Sequence, residues 1–115
     1  MRKRVIIESP FGTNVDGSRC THEEMAANVE YIKLCIADSL DRGEAPFASH
    51  GFYPLVLDDA TPEERKAGME AGFAWGEAAE LIAVYTDRGI TPGMKEGITL
   101  HFDRGIRIEY REILK

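Results

Sequence analysis

The run Leu81-Ile82-Ala83-Val84-Tyr85 constrains this chain most. It is short and apolar without alternation, the pattern of a strand covered on both faces, so it belongs at the centre of a sheet. A second strand, Arg4–Glu8, is β-branched through Val5-Ile6-Ile7 and stops at Ser9-Pro10-Phe11-Gly12, where proline and glycine force a loop.

Three helix starts separate the strands. Thr21-His22-Glu23-Glu24 has the form of a capping box, and Met25, Val29, Ile32, Ile36 and Leu40 follow on one apolar face, predicting a helix over residues 22–42 that Gly43 stops. Ala45-Pro46-Phe47-Ala48-Ser49 contains a proline and lacks alternation, which suits an edge strand. Thr61-Pro62-Glu63-Glu64 reads as a second capping box opening a helix over residues 62–76, in which Gly68 and Gly72 weaken the helix but permit close approach. Thr91-Pro92-Gly93-Met94 starts a third, with a hydroxyl cap, carrying Met94, Ile98 and His101 or Phe102 inward and ending near Gly105. Ile106-Arg107-Ile108-Glu109-Tyr110 then alternates as a last strand.

Strands alternating with helices imply parallel pairing through right-handed crossovers. The 115 residues are expected to form a single α/β domain over residues 1–115. Its form is a small parallel sheet of about four strands in order 2-1-3-4 with helices on both faces, a flavodoxin-like or Rossmann-like three-layer sandwich. In such sheets the ligand crevice lies beyond the carboxyl ends of the strands at the switch in order, here flanked by residues 9–12 and 86–94.

The totals narrow the class. A formal charge of -6 disfavours binding to a nucleic-acid backbone, and the basic Met1-Arg2-Lys3-Arg4 is a flank of the first strand. No secretory signal or membrane-spanning run is present, which makes a cytoplasmic protein the default. Cys20 and Cys35 lie too far apart for a redox motif, and His22, His50 and His101 are scattered, so neither a metal nor a cofactor is expected.

Several residues near the expected crevice carry two readings. The free amides around Gly93, with Ser9, Pro10, Phe11, Gly12 and Thr91 on the same rim, form an anion site or simply punctuate a strand-to-helix turn. Asp58 and Asp59 are an acid/base pair or helix-start electrostatics, and Arg65 is an anion clamp or an ion-pair partner for either. His50 is a functional or a structural histidine at a strand's carboxyl end. Phe11, Phe47, Tyr53, Trp75 and Tyr85 stack on a base or fill the core. No GxGxxG or GxxxxGK[ST] pattern occurs.

Taken together, these residues resemble the nucleoside 2-deoxyribosyltransferase-like superfamily, and most of all a short bacterial and phage branch of it. The resemblance rests on Ile7-Glu8-Ser9-Pro10-Phe11, Asn28 to Tyr31, Ala45 to His50, Leu57-Asp58-Asp59, Pro62 to Arg65, Gly68, Gly72, Thr91-Pro92-Gly93-Met94 and Ile108-Glu109-Tyr110-Arg111. It implies chemistry at the N-glycosidic bond of deoxyribonucleosides or their monophosphates, with a glutamate nucleophile in a Ser-x-Gly-x-x-x-Glu pattern. Thr91 and Gly93 match the serine and glycine of that pattern, and Gly97 stands where the nucleophile is expected. The superfamily's second acidic position aligns near Gly72.

The expectation is therefore a nucleotide-type ligand-binding protein, holding or sequestering its ligand, with Ser9, Pro10, Phe11, Gly12, His50, Asp58, Asp59, Arg65, Thr86, Asp87, Thr91, Gly93 and Met94 around it. The alternatives are an N-glycosidase or deoxyribosyltransferase using Glu96 with Asp87 or Asp58, and a small protein-interaction module. The resemblance also implies a homo-oligomer.

Overall fold

The connections between the apolar runs are long enough to carry helices back over the sheet, so the strands pair in parallel. The computed structural model describes residues 1–114. Along the chain lie β1 (Arg4–Glu8), α1 (His22–Asp41), β2 (Ala45–Phe47), α2 (Pro62–Gly76), β3 (Leu81–Tyr85), α3 (Pro92–Asp103) and β4 (Arg107–Arg111), with short 3-10 turns at Ser49–Gly51 and Tyr53–Leu55. The four strands are ordered β2-β1-β3-β4. All three pairings are parallel, with Val5 opposite Leu81 and Leu81 opposite Arg107. The fold class and strand order are those expected from the sequence.

Alternation along β1 and β3 divides the core into two layers. Val5, Ile7, Leu81, Ala83 and Tyr85 face α1 and pack with Tyr31, Ile32 and Cys35. Ile6, Ile82 and Val84 face the other way, toward Met94 and Ile98 of α3. Every residue of β3 is buried, as its unbroken apolar run requires. Glu8 ends β1 on the α3 side, in register with Val84.

Three expectations need correction, and one open choice is resolved. The α1 face is rotated: Asn28, Tyr31, Ile32, Cys35 and Ser39 are buried, whereas Val29 and Leu40 are exposed. Polar Asn28 and Ser39 are admitted to the interior because each has a partner, Asn28 donating to the Phe11 carbonyl at 2.7 Å and Ser39 to Glu44 at 2.8 Å. Thr61 makes no side-chain cap for α2, because Glu64 turns to accept from the Asp58 amide at 3.0 Å instead. His101 is the buried member of the pair on α3, and Phe102 is exposed. Last, β4 is shifted one residue along the chain, spanning Arg107–Arg111 where the alternation implied 106–110, and ends on a buried Arg111 while Tyr110 is exposed.

Arg111 is tolerated in the interior because it is saturated with partners. Its guanidinium donates to both Glu44 oxygens at 2.8 and 2.6 Å, to Glu109 at 2.6 Å and to the Tyr85 hydroxyl at 3.0 Å. No helix among the described residues is long and apolar enough to cross a membrane.

Candidate functional site

The carboxyl ends of β1 and β2, the start of α3 and one side of α2 surround a crevice. Asn28 braces the loop after β1 through the Phe11 carbonyl, and Thr91 caps α3 by accepting from the Met94 amide at 3.3 Å. The inner recess is small, about 50 Å³. It opens onto an outer groove of about 750 Å³, with Asp59, Arg65, Met69 and Phe73 on the wall common to both. A ligand larger than a few atoms would lie in the groove and insert one group into the recess.

Glu8 stands at the recess without a hydrogen-bond partner among the described residues, only partly exposed. Removal from water pushes its carboxyl up from 4.5 to about 8, so the group is mainly uncharged at neutral pH. Its place depends on Gly97: a Cβ there would overlap Oε2 of Glu8 and come within 3.0 Å of Cδ. The glycine found where a nucleophilic glutamate was expected is thus the space in which a different glutamate's carboxyl lies.

A second glycine has the same relation to a second carboxylate. A Cβ on Gly12 would overlap Oδ2 of Asp59, whose same oxygen accepts from Arg19 at 3.1 Å. Arg19, outside the expected site, takes the ion pair with Asp59 that is one of the two readings of Arg65. The Arg65 guanidinium makes no ion pair or hydrogen bond among the described residues, and its Nη2 lies 3.7 Å from where a Cβ on Gly93 would stand. His50 stacks on Phe11 with ring centroids 5.0 Å apart and an interplanar angle of 21°. Burial lowers the His50 pKa, and the Asp59 carboxylate and the Ser9 backbone oppose that shift in part.

Phe11, Gly12, His50, Asp59, Arg65, Thr91, Gly93 and Met94 therefore come together around the crevice. The other candidates do not. Ser9 is buried beneath the rim, and Pro10 faces a separate hollow beside Asn28 and Arg88. The Asp58 side chain is used locally, accepting from the Ala60 amide at 2.9 Å. Thr86 donates to the Arg111 carbonyl at 3.2 Å. Asp87 accepts from the Tyr31 hydroxyl at 2.5 Å and from the amides of Ile113 and Leu114, which makes it a clasp for the end of the chain. Burial pushes the Asp87 carboxyl up, but these donors outweigh it and leave it below the usual range. Glu96 is exposed on the outer groove, away from the recess.

Of the five aromatics considered for stacking, Phe11 and Phe47 line the crevice and Tyr85 is core. Phe47, Tyr53 and Trp75 belong to an aromatic cluster with Phe52 around β2. Gly72 lies against Ser49, 3.1 Å from its Cβ to a Cβ built on the glycine, so that position is explained by packing.

Sequence reasoning missed Glu8, Arg19 and His101 as parts of this region. The signal for Glu8 was present: it is a lone carboxylate at the carboxyl end of a β-branched run, where open α/β sheets keep their ligands. His101 lines the recess with its Nδ1 2.7 Å from the Gly97 carbonyl and its Nε2 buried without a partner beside Gly76. Among the described residues no cluster of His, Cys, Asp or Glu is arranged to hold a metal ion.

No curated protein and no solved structure matches this chain. One family model, described as a domain of unknown function (DUF7768), matches residues 3–111, nearly the whole length and every strand and helix around the crevice. The chain belongs to the DUF7768 family.

Proposed function

We infer that the crevice binds a nucleotide-type ligand, with its phosphate between Arg65 and the start of α3. The observation that carries this reading is the unpaired Arg65 guanidinium beside Gly93. A cation without a partner among the described residues and the positive end of the α3 dipole converge there; Pro92 has no N–H and Thr91 takes the Met94 amide, so the open donor is the Gly93 amide, on a glycine that leaves the backbone approachable. Holding the ligand is favoured over breaking it, because Asp87 is occupied by the Tyr31 hydroxyl and the amides of Ile113 and Leu114 and Asp58 by the Ala60 amide, which takes from Glu96 the acidic partners a glycosidase reading gives it. Exposed Phe52 and Trp75 beside the edge strand β2, with exposed Leu55 and Val56 following Phe52 in the chain, support self-association, which sedimentation measurements would test.

Calorimetric titration with inorganic phosphate, nucleoside monophosphates and cyclic or ADP-ribose-type nucleotides tests the reading. Binding is expected, with a loss of tenfold or more in Arg65→Ala. No binding of any of these by the folded chain would overturn it.

A further inference from the structure

We propose that Glu8 is a ligand-binding residue that recognises an uncharged hydrogen-bonding group inserted into the recess, so that the crevice selects ligands with an anionic end and a neutral polar end. This rests on the reading of Arg65 and the α3 start as the phosphate site. Three features of the fold carry it. The recess is about 50 Å³, room for the edge of a base or a sugar hydroxyl and little more. Glu8 is presented to it from the end of a central strand, without a hydrogen-bond partner among the described residues. Gly97 leaves open the volume its carboxyl needs, so the placement depends on two residues far apart in the chain.

A partnerless polar group in a recess costs free energy that a packed apolar side chain would not, so its presence there points to a partner that arrives from outside. Arg65, Asp59, His50 and His101 are the charged or titratable groups that share the recess. Arg19 takes up Asp59, and no hydrogen bond joins any of them to Glu8. The uncharged carboxyl offers one O–H donor and one carbonyl acceptor. That pair complements a neutral donor-acceptor edge, as on a nucleobase or a ribose diol, whereas a second phosphate there would meet only one donor. Held against Glu8 at one end, such a ligand can keep its charged end at the mouth of the recess, where Gly93 lines the recess and Arg65 walls both the recess and the outer groove.

The test compares inorganic phosphate with nucleoside 5′-monophosphates, titrated into the full-length chain at pH 6.5 and into its Glu8→Gln and Glu8→Leu variants, each verified as folded by circular dichroism. In the unaltered chain the best monophosphate is expected to bind at least tenfold more tightly than phosphate. Glu8→Leu should reduce it to the phosphate level while phosphate itself changes less than twofold. Glu8→Gln, with an amide donor and acceptor, should stay within about threefold of the unaltered chain. A monophosphate no tighter than phosphate, or an undiminished affinity in Glu8→Leu, overturns the role of Glu8 and leaves the anion site standing. Equal losses in the Gln and Leu variants overturn the neutral-donor role. Failure of phosphate and every monophosphate to bind removes the nucleotide reading, and the role of Glu8 with it.

Discussion

Asp59 and Gly12 are close enough that a side chain at position 12 would overlap the Asp59 carboxylate, which Arg19 holds at 3.1 Å with its Nη1 only 3.3 Å from where that side chain's Cβ would stand. The loop after β1 and the loop before α2 are thereby locked together across the mouth of the crevice.

Gly12→Ala should therefore destabilise the chain by about 1–3 kcal/mol, the usual cost of overpacking a fixed contact. The ion pair itself contributes little of this, since the Arg19 side chain is 45% exposed. Urea denaturation of a double-mutant cycle separates the two contributions. In an Asp59→Ala background the methyl has room, and Gly12→Ala should cost less than about 0.5 kcal/mol. An equal cost in both backgrounds would show that Asp59 is not the obstacle.

Glu8 gives the unliganded chain a distinctive dependence on pH. Its carboxyl is raised from 4.5 to about 8 in the folded state, so between those values the folded chain holds a proton that the unfolded chain has released. Its contribution to stability is full below about pH 4.5, is lost as the pH rises, and levels off above about pH 8. Glu8→Gln removes this slope. The variant should gain on the unaltered chain from pH 4.5 upward, by on the order of 2–4 kcal/mol at pH 9. Parallel stability curves for the two proteins over that range would contradict the placement of Glu8.

Asp87 is expected to matter for stability and not for binding. Asp87→Ala removes the acceptor for the Tyr31 hydroxyl and for the amides of Ile113 and Leu114, at a cost of about 2–3 kcal/mol. Tyr31→Phe should cost about 1 kcal/mol. Hydrogen exchange should accelerate at the Ile113 and Leu114 amides in Asp87→Ala, with nucleotide affinity within twofold of the unaltered chain. A large loss of affinity in the folded Asp87→Asn variant would return Asp87 to the site.

The parts of the site legible beforehand were those made by local chemistry. Thr91-Pro92-Gly93-Met94 announces a capped helix start, and Ser9-Pro10-Phe11-Gly12 announces a loop at a strand's end, because capping hydroxyls and fixed proline torsions act within a few residues. Pairings between distant residues were not legible. Arg65 lies in the same first turns of helix as Glu64, yet the partner of Asp59 is Arg19, in a loop forty positions away. Asp87 looked available in a loop facing the crevice until the end of the chain folded back onto it. The α1 stripe failed for a related reason: apolar spacing located the helix, but Asn28 and Ser39 entered the interior through partners on other segments.

By itself the sequence determined the alternation of strands and helices, the central place of Leu81–Tyr85 and the parallel pairing, because burial periodicity and chain connectivity are properties of the chain. Only the tertiary structure decided what Gly97 is for. A glycine read along the chain is a missing side chain; in the folded molecule it is the space that holds the Glu8 carboxyl at the recess. That difference arises because occupancy of a volume depends on every segment that reaches it, and Glu8 and Gly97 meet only after β1 and α3 have packed.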